Sequence, residues 1–167
     1  MLVILSGLPG VGKSTVAREL ARQIGAVHVR IDSIEQAIMD SENFSGPMND
    51  GGYRVGYAVA LDNLRVGRTV IADSVNPLGV TRDAWIDVAR QAGVGALEIE
   101  LVCTDAGEHR RRIETRPADT PGLKRVTWQD VLSRDYERWT REHIVVNTAV
   151  NDVEQTVTMI QKTLANK

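Results

Sequence analysis

Nine consecutive residues near the N-terminus, Gly7-Leu8-Pro9-Gly10-Val11-Gly12-Lys13-Ser14-Thr15, carry the spacing G-x-x-x-x-G-K-[ST]. The spacing suits the binding of an oligophosphate. Glycines let the backbone wrap tightly and turn its N–H groups inward, as a nest for phosphate oxygens. A helix starting near Lys13 adds the positive end of its dipole at the same point. The Lys13 ammonium can reach β- and γ-phosphates, the Ser14 hydroxyl can sit on Mg²⁺, and Thr15 can assist the α-phosphate. The motif follows an apolar run and opens a helical pattern, which is the context it requires.

Three further groups lie where chemistry is expected. In an open parallel sheet, ligands bind beyond the carboxyl ends of the strands, so residues just after each strand matter most. Asp32 follows the second apolar run and can accept a proton from an attacking hydroxyl; it could equally cap the next helix. Asp73 closes the third run, in the position of a carboxylate linked to a metal through water, or of a turn former. Asn76 can hydrogen-bond a substrate or close the turn before Pro77. The run His109-Arg110-Arg111-Arg112-Ile113-Glu114-Thr115-Arg116 then enters a Pro/Gly-broken segment. Arg112 and Arg116 share one helix face and can neutralise charge on a transferring phosphoryl group; the bland alternative is a solvated face at a helix C-terminus. Arg110 and Arg111 are assigned to the surface, and Lys124 and Arg125 are weaker candidates.

The elements that must hold these groups are legible from apolar periodicity. Strands are expected at residues 2–6, 27–31, 69–72, 96–102 and 144–146. Helices are expected at 13–24, 34–39, 53–66, 82–92, 105–116, 127–141 and 153–165, with Gly25, Gly67 and Gly93 as stops. Residues 40–52 and 117–126 read as loops. Strands alternating with helices predict an α/β domain whose parallel sheet is covered on both faces.

The bulk properties narrow the function classes. A chain of 167 residues and 18.4 kDa is expected to be one domain, residues 1–167. One cysteine, Cys103, excludes an internal disulfide framework, so a reducing, cytoplasmic setting is expected. A net charge of -2 argues against coating a nucleic acid, and no apolar run approaches membrane-spanning length. Arginines outnumber lysines sixteen to four, so a lone arginine means little and only the cluster is weighed. His28, inside a strand, reads as packing; His109 and His143 lack partners at metal spacing. Trp85, Trp128 and Trp139 read as packing residues on helices, and Cys103 as a small hydrophobe.

The loop at 7–15, Arg30-Ile31-Asp32-Ser33, Asp73-Ser74-Val75-Asn76 and the Arg-rich segment together resemble the small P-loop kinases. The likeness is nearest to the group holding the polynucleotide 5'-hydroxyl kinase domain, zeta-toxin-like kinases and chloramphenicol phosphotransferase. It implies a P-loop NTPase three-layer αβα sandwich, a five-stranded sheet in order 2-3-1-4-5, and a small Arg-rich lid at about residues 110–127. It also implies ATP with Mg²⁺ and transfer to a hydroxyl, with Asp32 as general base and Arg116 as the lid arginine. Asn147-Thr148-Ala149 resembles the stretch beside the adenine, which makes Thr148 a nucleotide contact. Asn49, Asp50, Tyr53, Arg54 and Tyr57 are expected to line the acceptor side, Arg54 as a substrate contact. In one respect the sequence departs from the polynucleotide kinases. Glu35 stands where they carry an arginine for the substrate phosphate, which weighs against a nucleic-acid acceptor and towards an uncharged or cationic small molecule. The alternatives kept are a polynucleotide 5'-hydroxyl kinase, a nucleotide-sugar kinase of the zeta-toxin kind, and an NTP-binding module without transfer activity.

Overall fold

Five short apolar runs form one parallel sheet, because each is bordered by a helix long enough to cross back over it. The computed structural model describes residues 1–41, 45–115 and 125–166. The strands are β1 (Leu2–Ser6), β2 (Val27–Arg30), β3 (Val70–Asp73), β4 (Ala96–Val102) and β5 (Ile144–Asn147). They lie in the order β2-β3-β1-β4-β5, all neighbours parallel, as the resemblance implied. The register sets Leu5 opposite Asp73 and Arg30 opposite the same Asp73, so three strand ends meet at one level.

The helices are α1 (Lys13–Ile24), α2 (Ile31–Met39), α3 (Gly51–Arg65), α4 (Gly79–Ala92), α5 (Ala106–Thr115), α6 (Trp128–Leu132) and α7 (Val153–Ala165). Alternation along β1 divides them between two faces. Val3 and Leu5 pack with Leu20 of α1 and Ile160 of α7; Leu2 and Ile4 pack with Leu64 of α3 and Trp85 of α4. Trp85 is fully buried, as its placement on a helix suggested. Among the described residues no helix is long and apolar enough to cross a membrane.

Two expectations are corrected. The helix expected at 127–141 stops at Leu132. Beyond it the buried Arg82 guanidinium donates to the carbonyls of Glu137 (2.8 Å) and Arg138 (3.4 Å), and to Pro77 O (3.1 Å). It also lies over the rings of Tyr136 and Trp139, at 5.0 and 4.3 Å from their centroids. Those carbonyls serve Arg82 instead of a helical ladder, so tertiary contact overrides local pattern. The second correction concerns Asp32. Helix α2 begins at Ile31 and its N-cap is Arg30, so Asp32 is a first-turn residue and not a cap.

Candidate active site

A cavity of about 850 Å³ opens at the carboxyl ends of the strands. Its wall includes Pro9 to Val16, Asp32, Glu35, Tyr53, Asp73, Arg112, Arg134 and Thr148. The groups singled out in the sequence therefore converge largely on one site, as strand-end logic requires.

The phosphate-binding loop begins where β1 ends. Gly7 has φ +135°, and a Cβ there would lie 2.2 Å from the Leu101 carbonyl oxygen, so only glycine fits. Gly12, in left-handed conformation, caps α1. Pro9, Gly10, Val11, Gly12, Lys13, Ser14 and Thr15 reach the cavity wall. Gly7 and Leu8 do not; the Leu8 carbonyl instead accepts from the Lys13 ammonium at 3.0 Å. Helix α5 closes this end. His109, buried, donates from Nε2 to Pro9 O at 2.7 Å, and its ring meets Trp128 edge-on at 5.1 Å between centroids. Arg112 donates from Nε to Glu108, and from its two terminal nitrogens to Thr148 Oγ1 and O, each at 2.9 Å. Glu108, held by Arg111 and Arg112, has its carboxyl pulled down to about 2.

The corner beside Lys13 holds one buried carboxylate, Asp73. Asp73 is 2% exposed and accepts from His28 Nε2 at 3.1 Å. Burial raises its pKa, but the His28 hydrogen bond, the Lys13 charge and the Ser14 hydroxyl together outweigh burial and hold the carboxyl below its ordinary range. Ser14 and Asp73 thus form a pair of hard oxygen donors, the set that suits Mg²⁺ completed by waters and phosphate oxygens. Among the described residues no group of three or more His, Cys, Asp or Glu could hold a metal ion.

The acceptor end lies across from this corner. Arg30 links the two aspartates, with Nη2 at 3.6 Å from Asp32 Oδ2 and Nε at 3.9 Å from Asp73 Oδ2. The Asp32 side chain is 42% exposed at the cavity wall. Glu35 follows one helical turn later, and Gly52 of α3 makes room for it; a Cβ on Gly52 would lie 2.2 Å from Glu35 Cγ. Burial and the nearby Asp32 push the Glu35 carboxyl up, with Arg134 opposing. No hydrogen-bond donor among the described residues reaches that carboxylate. Tyr53 adds its phenol, which accepts from the Asn76 N–H at 3.2 Å.

Of the residues expected on the acceptor side, Tyr53 reaches the cavity wall, whereas Asn49, Asp50, Arg54, Tyr57 and Asn76 do not. Arg54 is 77% exposed, points to Asp50 at 4.0 Å and is absent from the cavity wall. It sits on the solvent face of α3, whereas Tyr53 faces inward. Asn76 is fully buried, and its side-chain amide is consumed by Ser6 (2.9 Å), Ser74 (2.8 Å) and Trp85 (3.1 Å). It has φ +49°, which asparagine tolerates, and it shapes the turn behind Ser74 and Val75 without touching the cavity. Tyr57 packs on Trp85 and is likewise absent from the wall. Arg116 and Lys124 lie outside the described residues. Arg112 faces the nucleotide end and is bonded to protein groups, not left open for a phosphoryl group.

The sequence reading missed three contributors. His28 read as packing because a single strand cannot reveal that its neighbour β3 sets Asp73 within reach. His109 lacked sequence partners because its partner is a backbone carbonyl one hundred residues away. Arg134 fell inside an expected helix, yet lines the cavity.

Comparison with known proteins agrees with this geometry. No curated protein matches the sequence. Among solved structures, the APS kinase CysC of Mycobacterium tuberculosis, in complex with AMPPNP and APS, superposes with a TM-score of 0.75 at 20% identity, covering 98% of this chain and 96% of that one. A gluconokinase from Sinorhizobium meliloti 1021 gives 0.64 at 18% identity, with 98% and 91% covered. Kti12 of Chaetomium thermophilum, in complex with ADP-AlF3, gives 0.69 at 20%, with 97% and 98% covered. At these identities the likeness establishes the P-loop kinase fold. A family model described as AAA domain matches residues 2–138, and the chain belongs to that family.

Proposed function

We propose that the protein is an ATP-dependent kinase that transfers the γ-phosphoryl group to a hydroxyl of a small molecule. The observation that carries this reading is one cavity in which the loop, Lys13, Ser14 and Asp73 stand at one end and Asp32 at the other, bridged by Arg30. The loop amides and Lys13 hold the β- and γ-phosphates. Ser14 and Asp73 are the residues that would hold Mg²⁺, which would neutralise phosphate charge when bound with the nucleotide. Asp32 orients the acceptor hydroxyl and takes its proton as the new O–P bond forms. The bond from the γ-phosphorus to the β,γ-bridging oxygen breaks, and ADP leaves. Arg116, carried over from the family resemblance, is assigned the role of neutralising transition-state charge. Thr148 and Arg112 bound the base end.

The acceptor is uncharged or cationic. Glu35, with no hydrogen-bond donor on it among the described residues, puts a second carboxylate beside Asp32, which disfavours a phosphorylated or carboxylated acceptor. The likeness to APS kinase and gluconokinase supports a small acceptor but not its charge class, since APS and gluconate are both anions; that class rests on Glu35 alone. A γ-labelled ATP assay against separate pools of neutral polyols, amino alcohols, antibiotics, nucleosides, nucleotide sugars and oligonucleotides tests the reading. Label is expected in an uncharged or cationic pool. Label in the oligonucleotide or nucleotide-sugar pool overturns the acceptor class. Nucleotide binding with no transfer to any pool favours the regulatory-module alternative.

A further inference from the structure

We propose that helix α5 is a template for the phosphate-binding loop: His109 directly, and Arg112 by way of Thr148, set the directions of the loop amides before nucleotide arrives. This deepens the kinase reading and rests on it for the identity of the ligand, but its evidence is the geometry of the loop alone.

The argument begins with the peptide unit. It is planar and trans, so the carbonyl of one residue and the N–H of the next point in opposite directions. Whatever captures a carbonyl on the outer side of the loop turns the following N–H inward. His109 Nε2 lies 2.7 Å from Pro9 O. A carbonyl only accepts, so Nε2 carries the proton, and the Gly10 N–H is turned away from α5. Two residues on, Thr148 Oγ1 lies 2.9 Å from Val11 O and 3.1 Å from Val102 O. The hydroxyl has one proton and Val11 O is its nearer acceptor, Val102 O already taking the Thr148 N–H at 2.8 Å, so the Gly12 N–H is turned away from Thr148. Arg112 holds Thr148 in that role, bonding its Oγ1 and O at 2.9 Å each.

Between these two points the loop touches α5 by shape. A Cβ on Gly10 would lie 2.6 Å from Ile113 Cδ1 and 3.3 Å from His109 Cδ2, so the helix lies directly on the Gly10 backbone. Three loop residues in a row, Pro9, Gly10 and Val11, are thus fitted to His109, Ile113 and Arg112, which occupy successive positions on one face of α5. His109 is buried and braced by the Trp128 ring, so the donor is itself fixed. A loop held this way needs less ordering when phosphate binds, which appears as affinity. His109 is therefore a positioning residue.

The test is direct binding to the full chain, by calorimetry, of Mg·ATP and of inorganic tripolyphosphate, which has no base to contact Thr148 or Arg112. His109→Phe keeps a ring against Trp128 and Gly10 but removes the donor. It is expected to weaken both ligands by about 5–20-fold, raising the ATP KM by a similar factor while kcat falls less than about threefold. His109→Gln, which returns an N–H donor, is expected to recover most of the loss. Thr148→Val is expected to weaken tripolyphosphate by about 3–10-fold, and serves if His109→Phe does not fold. Wild-type tripolyphosphate affinity in His109→Phe or in Thr148→Val, or His109→Gln no better than His109→Phe, overturns the proposal. A wild-type protein that binds neither ligand overturns the kinase reading as well. One that binds both yet phosphorylates nothing overturns only that reading, since the template is judged by binding.

Discussion

The two ends of the cavity are built differently, and two glutamates display the contrast. At the nucleotide end, Glu108 accepts from Arg111 and Arg112, and its carboxyl is drawn down to about 2. Almost every polar group there is bonded to another: Lys13 to Leu8, His109 to Pro9, Arg112 to Thr148, Thr148 to Val11. At the acceptor end, Glu35 has no such donor among the described residues, and burial beside Asp32 pushes its carboxyl up. Among the described residues Asp32 pairs with one cation, Arg30, at 3.6 Å. The nucleotide end is preorganised for an invariant ligand, a triphosphate. On the proposed kinase reading, the acceptor end holds polar groups in reserve for a ligand that must be selected, at a cost in stability.

The sharpest test of this division is Asp32→Asn. It is expected to cut phosphoryl transfer by about 10²–10⁴-fold while ATP affinity changes less than about threefold. Parallel measurement of turnover and nucleotide binding checks this, and turnover within tenfold of wild type would remove Asp32 from the base role. Next in size is Arg82→Met. Carbonyls of Asn76, Pro77, Glu137 and Arg138 lose a buried donor, so a loss of about 3 kcal/mol and a fall in Tm of about 6–12 °C are expected. Because Arg82 ties down the segment following Arg134, the acceptor KM should rise more than the ATP KM; equal rises would show that the two ends are not independent.

Acid titration separates the ends further. The Asp73 carboxyl sits below its unfolded value, so its contribution to stability is present above about pH 4 and is lost as pH falls through the lower folded value. Asp73→Asn should therefore lose less stability than wild type between pH 5 and 3, read by denaturant melts. Glu35 runs the other way. Its folded pKa is raised, so its favourable contribution is present below the unfolded value and is lost as pH rises through the folded one. Glu35→Gln is the smallest effect expected: a gain under about 1 kcal/mol at pH 7, since Glu35 is only partly buried, shrinking towards pH 4. A loss of stability at pH 7 would mean that Glu35 is satisfied and the acceptor end is no less settled than the other.

Much of this molecule was readable residue by residue, for a physical reason. The loop at 7–15, the bounds of β1, β4, α1 and α7, and the glycine stops at Gly25 and Gly93 depend on backbone conformation and short-range periodicity, which a linear chain carries in full. The sheet order followed from the resemblance these motifs carry. The misreadings share a different cause. Residues 133–141 carry a helical pattern, but a guanidinium from α4 takes their carbonyls. Arg54 and Tyr53 are adjacent, and only the seating of α3 against α2 decides which of them faces the cavity.

By itself the sequence determined that a phosphate would be gripped at residues 7–15 and that carboxylates would stand at two neighbouring strand ends, because glycine, lysine and strand length act locally. Tertiary structure alone decided who holds those groups in place: His28 for Asp73, His109 for Pro9, Thr148 for Val11. Those partners are 45, 100 and 137 residues apart in the chain. A hydrogen bond depends on a few tenths of an ångström and a direction, and only the assembled sheet with its helices sets those.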